Sequence, residues 1–106
     1  MADKYTQVFV TVPSRREADR LAKVILEARL VACVQIAGPI TSRYWWRGRL
    51  ETANEWLCLL KTEGRLFRRL DKAIRALHTY ETPEIVAVAI TAGSQAYLKW
   101  IAAAVK

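Results

Sequence analysis

The chain has 106 residues, 53% of them hydrophobic and 25% charged, with 17 lysines and arginines against 10 acids. That length sets a single domain, residues 1–106, able to bury ~60–65% of its unfolded surface and to hold a core without disulfides or metal. The composition excludes disorder, no apolar run approaches the ~20 residues of a membrane span, and Met1 to Gln7 has no signal-like apolar segment, so a cytoplasmic protein without a membrane partner is expected.

Tyr5 to Val12 alternates, with Val8, Val10 and Val12 on one face and Phe9 and Thr11 on the other, the period of a strand. Pro13 ends it. Ser14 to Glu17 spells a capping box, and Ala18, Leu21, Ala22, Ile25 and Leu26 follow at helical spacing. Ala32 to Ile36 is a second strand. Gly38-Pro39 interrupts it with a bulge or kink, because proline cannot donate to a ladder. The strand resumes from Ile40 to Trp46. Arg47-Gly48 predicts a tight hairpin turn with Gly48 at positive φ. A third strand returns from Arg49 to near Thr62.

Arg65 to His78 predicts a second helix, with Leu66, Phe67, Leu70, Ala73, Ile74 and Leu77 on one stripe and Arg68, Arg69, Lys72 and Arg75 on the other. Glu84 to Ile90 is a fourth strand. Gly93-Ser94 opens a last helix, with Tyr97, Leu98, Ile101 and Val105 expected to face inward. The order is β-α-β-β-α-β with an extra helix at the C-terminus. This is the ferredoxin-like α+β pattern, whose usual sheet order is 4-1-3-2 with both long helices on one face.

Such a domain covers one sheet face, so the other should read polar at alternate positions. Ile85 to Ile90 is instead apolar on both faces. The last helix can cover part of the second face; another subunit is the natural cover for the rest. The hairpin argues the same way. Its first arm runs about fifteen residues, roughly 50 Å at ~3.3 Å per residue. Its tip, with Tyr44, Trp45 and Trp46, should protrude and seek a partner. An oligomer is expected.

Five ordered motifs carry a resemblance over nearly the whole chain. They are Ala32-Cys33-Val34-Gln35-Ile36, Tyr44 to Leu50, Leu60-Lys61-Thr62, His78 to Ile85, and Gly93 followed by Tyr97 to Ile101. The sequence is similar to the CutA family of divalent-cation tolerance proteins. The resemblance implies a PII-like fold, a homotrimer, a part in divalent metal tolerance, and copper(II) or another divalent cation as a ligand. An alternative that it also allows is a PII-like signalling or scaffold module with a small ligand or protein partner at its subunit interfaces.

Copper needs soft or imidazole ligands converging on one ion. The chain offers one histidine, His78, two cysteines, Cys33 and Cys58, and Met1. Cys33 belongs low in the sheet and His78 high at the opposite edge, so the two could meet only across subunits. Cys58 should lie opposite about Ala37, too far from Cys33 for a disulfide. The resemblance places the copper-binding positions of relatives at Val10, Leu77 and His78, of which only His78 can ligate here. A lone histidine ending a helix also suits a cap. Trp46, Arg47, Lys61, Tyr80, Glu81 and Glu84 are candidates for an intersubunit pocket or interface, with an anion or another small ligand as its occupant. Glu84 and Lys61 could equally make interface ion pairs.

Enzyme and RNA-binding readings fare poorly. An acylphosphatase needs a phosphate-cradling loop after strand one, and Pro13 to Arg16 holds no glycine. The single asparagine is Asn54. No nucleophilic triad, phosphate loop or metal-hydrolase motif occurs. The RNP1 pattern is missing from Trp56 to Leu60, and the arginines cluster on helices rather than on a sheet face, so the net charge of +7, which suits solubility or an anionic partner, is not read as nucleic-acid binding.

Overall fold

The computed structural model describes residues 4–106; Met1, one of the candidate ligands, lies outside them. The elements run β1 (Tyr5–Val12), α1 (Arg15–Glu27), β2 (Cys33–Trp46), β3 (Arg49–Glu63), α2 (Phe67–Leu77), β4 (Ile85–Ala89) and α3 (Gln95–Ala104). The sheet order is β2-β3-β1-β4, the expected ferredoxin-like order, and all three pairings are antiparallel. No helix among the described residues is long and apolar enough to cross a membrane.

The capping box forms. Ser14 caps α1 by accepting the Glu17 backbone N–H, and its hydroxyl donates to the Glu17 carboxylate. Val8, Val10 and Val12 of β1, with Cys58 and Leu60 of β3, point at α1 and α2. They meet Ala18, Leu21, Ile25, Leu70 and Ile74 in one core. Burial of this apolar surface, at ~25 cal/mol per Å2, is the main force holding the layers together. The C-terminus is tied to the turn after α1 by the Lys106 N–H on the Arg29 carbonyl and by the Arg29 guanidinium on the Ala104 carbonyl.

Several expectations shift. The second helix starts at Phe67 after a short 3-10 turn, Gly64–Leu66, so residues 65 and 66 precede it. Leu26 is exposed although its neighbour Ile25, in the same last turn of α1, is fully buried, so Leu26 lies at the edge of the apolar stripe. Tyr97 is not buried as expected: α3 buries Ile101, with Val105 just beyond its end, and leaves Tyr97 and Trp100 exposed with their rings tilted against each other, centroids 5.4 Å apart. Cys58 pairs with Ile36 rather than Ala37, because the bulge falls between Ala37 and Ile40 and shifts the count. β4 begins at Ile85, one residue later than expected, leaving Glu84 in the preceding loop.

The hairpin turn is Arg47-Gly48, and both residues take positive φ, 51° and 77°. That is the two-residue turn whose twist matches its strands. At the bulge, the peptide joining Gly38 and Pro39 is cis. Trp56 lies over Gly38 so closely that a Cβ there would come within 2.7 Å of its ring. The Gly38→Ala variant should therefore lose about 1–3 kcal/mol, the usual cost of overpacking, in urea unfolding. A variant as stable as the parent would show that the Trp56 ring yields freely.

Burial pushes the Cys58 thiol from 9.0 up to about 11, with Asp19 adding to the rise and Arg15 opposing it. The folded thiol thus keeps its proton to a higher pH than the unfolded one. Its contribution to stability is complete below pH 9 and is lost as pH rises toward 11, amounting to about 2–3 kcal/mol. Unfolding curves taken across that window should fall less steeply for Cys58→Ala than for the parent, and equal slopes would remove the thiol as a cause.

Candidate functional site

His78 is the residue that ends α2. Its N–H donates to the Ile74 carbonyl while its backbone turns extended. The ring then works at both nitrogens. The Tyr80 backbone N–H donates to Nδ1 at 3.1 Å, which puts the proton on Nε2, and Nε2 donates to the Thr11 carbonyl at 2.7 Å. The imidazole is therefore a clamp between the end of β1 and the start of the loop 78–84. It also lies against the Tyr80 ring, with centroids 4.8 Å apart.

The same loop has three further ties. The Thr79 hydroxyl donates to Glu17 at 2.9 Å, and the Tyr80 hydroxyl to Glu55 at 2.9 Å. Arg47, at the hairpin tip, reaches Glu81 at 2.7 Å. Between loop and hairpin lies a cleft of about 820 Å3, bordered by Thr11, Ser42, Tyr44, Trp46, Glu55 and Tyr80 among others. Glu81 and Glu84 also line it, so Trp46, Tyr80, Glu81 and Glu84 are brought together, with Arg47 bridging to Glu81.

Lys61 stands apart from this group. It pairs with Cys33 across β3 and β2 at the other end of the sheet, and its ammonium donates to the Gln35 side chain at 2.8 Å. Cys33 lies on the face away from α1 and α2, with Sγ 3.8 Å from the Tyr97 hydroxyl. Burial and that neighbouring thiol push the Tyr97 phenol upward. His78 holds Thr11 and Cys33 aligns with Lys61, so the two are at opposite ends of the sheet within one chain, as topology requires. Cys33 and Cys58 are both free thiols on opposite faces. No group of three or more His, Cys, Asp or Glu side chains converges as a metal site among the described residues.

Sequence reasoning missed Glu55. It is only 6% exposed although it sits on a long hairpin arm. The available signal was its position: Glu55 alternates with Trp56, whose neighbours on that face are core residues, so Glu55 must point to the other face. Burial, then the hydrogen bond to Glu55, push the Tyr80 phenol well above its ordinary range, so it stays a donor at any neutral pH.

Residues 6–104 match the model of the CutA1 divalent ion tolerance protein family. This chain belongs to that family. It is 42% identical over 94 residues to the divalent-cation tolerance protein CutA of Archaeoglobus fulgidus, covering 89% of this chain and 91% of the relative. The structure of the divalent cation tolerance protein (Cut A1) from Thermus thermophilus superposes with a TM-score of 0.94 at 40% identity, over 96% of this chain and 99% of that one. The rice CutA1 structure gives 0.95 at 36% identity, over 99% and 96%. The long hairpin and the last helix are thus features of the family fold, since superposition spans nearly the whole of each chain.

Removing the Tyr80 hydroxyl tests how far the loop depends on Glu55. Tyr80→Phe leaves a buried carboxylate short of a donor, which should cost about 1–3 kcal/mol in thermal or chemical unfolding. A loss too small to measure would mean that water replaces the phenol without penalty.

Proposed function

We propose that this CutA1 chain serves tolerance of divalent metal ions as a non-catalytic homotrimer. Family membership supports the first part. The observation that carries the second is the uncovered sheet face. Leu59, Phe9 and Val86 lie side by side on it in register, and Val88 follows on β4. Val86 and Val88 are 48% and 44% exposed, on an edge strand away from the corner of that face that the last helix covers. Apolar rows of this kind are covered in a working protein, and symmetric self-association is the usual cover.

The metal part of the proposal centres on His78. A divalent cation such as copper(II) would have to displace the Tyr80 N–H from Nδ1 or the Thr11 carbonyl from Nε2 before binding. Uptake at a single His78 is therefore weak, and symmetry-related His78 side chains, or a Cys33 from another subunit, would have to complete the ligand set. A second reading, a PII-like module that binds a small ligand, is favoured by the cleft, whose volume suits one.

Native mass spectrometry on protein with blocked thiols tests the main reading. The expected mass is that of three subunits, and Val88→Lys should shift it toward one; a monomeric parent would refute the trimer. With equimolar copper(II), a minor adduct is expected that disappears in His78→Ala. An adduct that survives His78→Ala would take His78 out of the metal reading.

A further inference from the structure

We propose that the groove between the outer sides of α1 and α2 docks an acidic peptide segment of a partner protein, with Arg20, Lys23, Arg69 and Lys72 receiving its carboxylates and Val24 an aliphatic side chain. Docking here is independent of metal tolerance. Both helices pack on the Val8 and Val10 face of the sheet. Association through the other face and the hairpin therefore leaves their outer sides in solvent, in every copy.

Two sets of contacts fix how the helices lie. At one end, Glu17, Arg20 and Leu21 of α1 line a notch with Leu77 of α2 and His78. At the other, the Lys106 N–H donates to the Arg29 carbonyl, just past α1, and the Arg69 guanidinium donates to the Lys106 carbonyl at 3.4 Å. The helices are thus antiparallel, and Val24 falls level with about Ala73. The side of α1 that carries Arg20 and Leu21 faces α2, and Val24 continues it one turn on. The side of α2 that carries Arg69 faces α1, and Lys72 and Ala76 continue it. Val24 is 39% exposed and Ala76 is exposed. The groove has an apolar floor between two basic rims.

Those rims lack partners. α1 and α2 carry eight lysines and arginines against four acids. Two pairs at i,i+4 are satisfied within a helix, Arg15 with Asp19 and Arg75 with Asp71. Setting those aside leaves six cations against Glu17 and Glu27, near the two ends of α1. Glu17 already holds the Ser14 and Thr79 hydroxyls. Arg20, Lys23, Arg69 and Lys72 enter none of the ion pairs found among the described residues. Cation instead follows cation: Arg16 and Arg20, like Arg68 and Lys72, stand four apart, where like charges destabilise a helix. A bound anion relieves that repulsion.

Carboxylate and phosphate both suit such rims. The floor separates them. Single-stranded nucleic acid stacks its bases on exposed rings, and the one aromatic residue of α1 and α2, Phe67, packs against the core. A bilayer is gripped by bulky apolar side chains on the face that meets it. This floor offers Val24 and alanine, while Leu26, two residues on, turns to the other side of α1. An acidic peptide with aliphatic residues among its carboxylates uses rims and floor together.

The experiment is a titration of the full chain, by fluorescence anisotropy, with a labelled peptide of about twelve residues repeating Glu-Glu-Leu, enough to span either helix. The same peptide with serine for leucine, an oligouridylate and phosphatidylserine vesicles are run beside it. The leucine peptide should saturate, and should bind at least about tenfold more weakly when salt rises from about 0.05 to about 0.3 M. The serine peptide should bind several-fold more weakly, and Val24→Ser should erase that difference. Arg20→Gln and Lys72→Gln should each weaken the leucine peptide about three- to tenfold. Arg15→Gln, which removes the same charge on the side of α1 that meets Trp56, should leave it unchanged. If native mass spectrometry shows that Arg20→Gln no longer assembles, Lys23→Gln takes its place with the same expected loss. Absence of saturable peptide binding, equal losses in Arg15→Gln and in the groove variants, or tighter binding of the oligouridylate or the vesicles would overturn the proposal.

Discussion

Side chains along a strand alternate between two faces, and in this sheet only one face has α1 and α2 against it. Much of the molecule follows from that constraint. On the helix side, Val8, Val10, Cys58 and Leu60 are fully buried and the core is closed. On the other side, Phe9, Leu59, Val86 and Val88 occupy positions that an isolated two-layer domain would give to polar residues. The last helix covers a corner, near Cys33 and Tyr97, and leaves β4 bare. The hairpin, which stretches the molecule to 44 Å in its longest dimension, adds a second region short of cover at Trp45 and Leu50. The fold is thus stable by one layer of packing and incomplete by another.

The loop 78–84 is held in a different way. It has no ladder of its own, so its position depends on side chains: His78 to Thr11 and Tyr80, Thr79 to Glu17, Tyr80 to Glu55, Arg47 to Glu81. These ties reach β1, α1, β3 and the hairpin tip. The exposed pair of Arg47 and Glu81 is worth little by itself. The His78 and Tyr80 bonds, part-buried, contribute more, because breaking them strands a polar group away from water. A site built on this loop inherits its shape from four separate elements.

Most of the architecture was legible in the residues. The alternation of β1, the Ser14 cap, the Arg47-Gly48 turn and the interruption at Gly38-Pro39 are local signals, and each stands where the sequence put it. Leu26 and Tyr97 misled because helical spacing says which residues share a stripe, not which of them sit at its edge: Ile25 and Ile101 are fully buried while Leu26 and Tyr97 are not. His78 was legible as a cap and as the one imidazole, but its carbonyl partner, Thr11, is a backbone atom that no residue type announces. Glu55 escaped for a similar reason. A glutamate on a hairpin arm reads as solvated until the loop from residues 78–84, far away in sequence, closes over it. The grouping of Trp46, Arg47, Tyr80, Glu81 and Glu84 came through, while Lys61 belongs to the opposite end of the sheet.

Across the bulge, from Ala37 to Ile40, the chain takes three steps while its partner, from Leu57 to Glu55, takes two. An odd number of extra residues reverses parity, so the outer half of β2 presents its even-numbered side chains where the inner half presents odd ones. Cys33, Gln35 and Ala37 share a face with Ile40, Ser42, Tyr44 and Trp46 only because of that reversal. A single deletion at Gly38 or Pro39 would restore strict alternation. The ladder beyond would stand, because Ile40 would still lie opposite Glu55, now two steps from Ala37, and Tyr44 and Trp46 would keep the face that carries Glu55; the extra residue bends the hairpin arm rather than choosing which side chains wall the cleft.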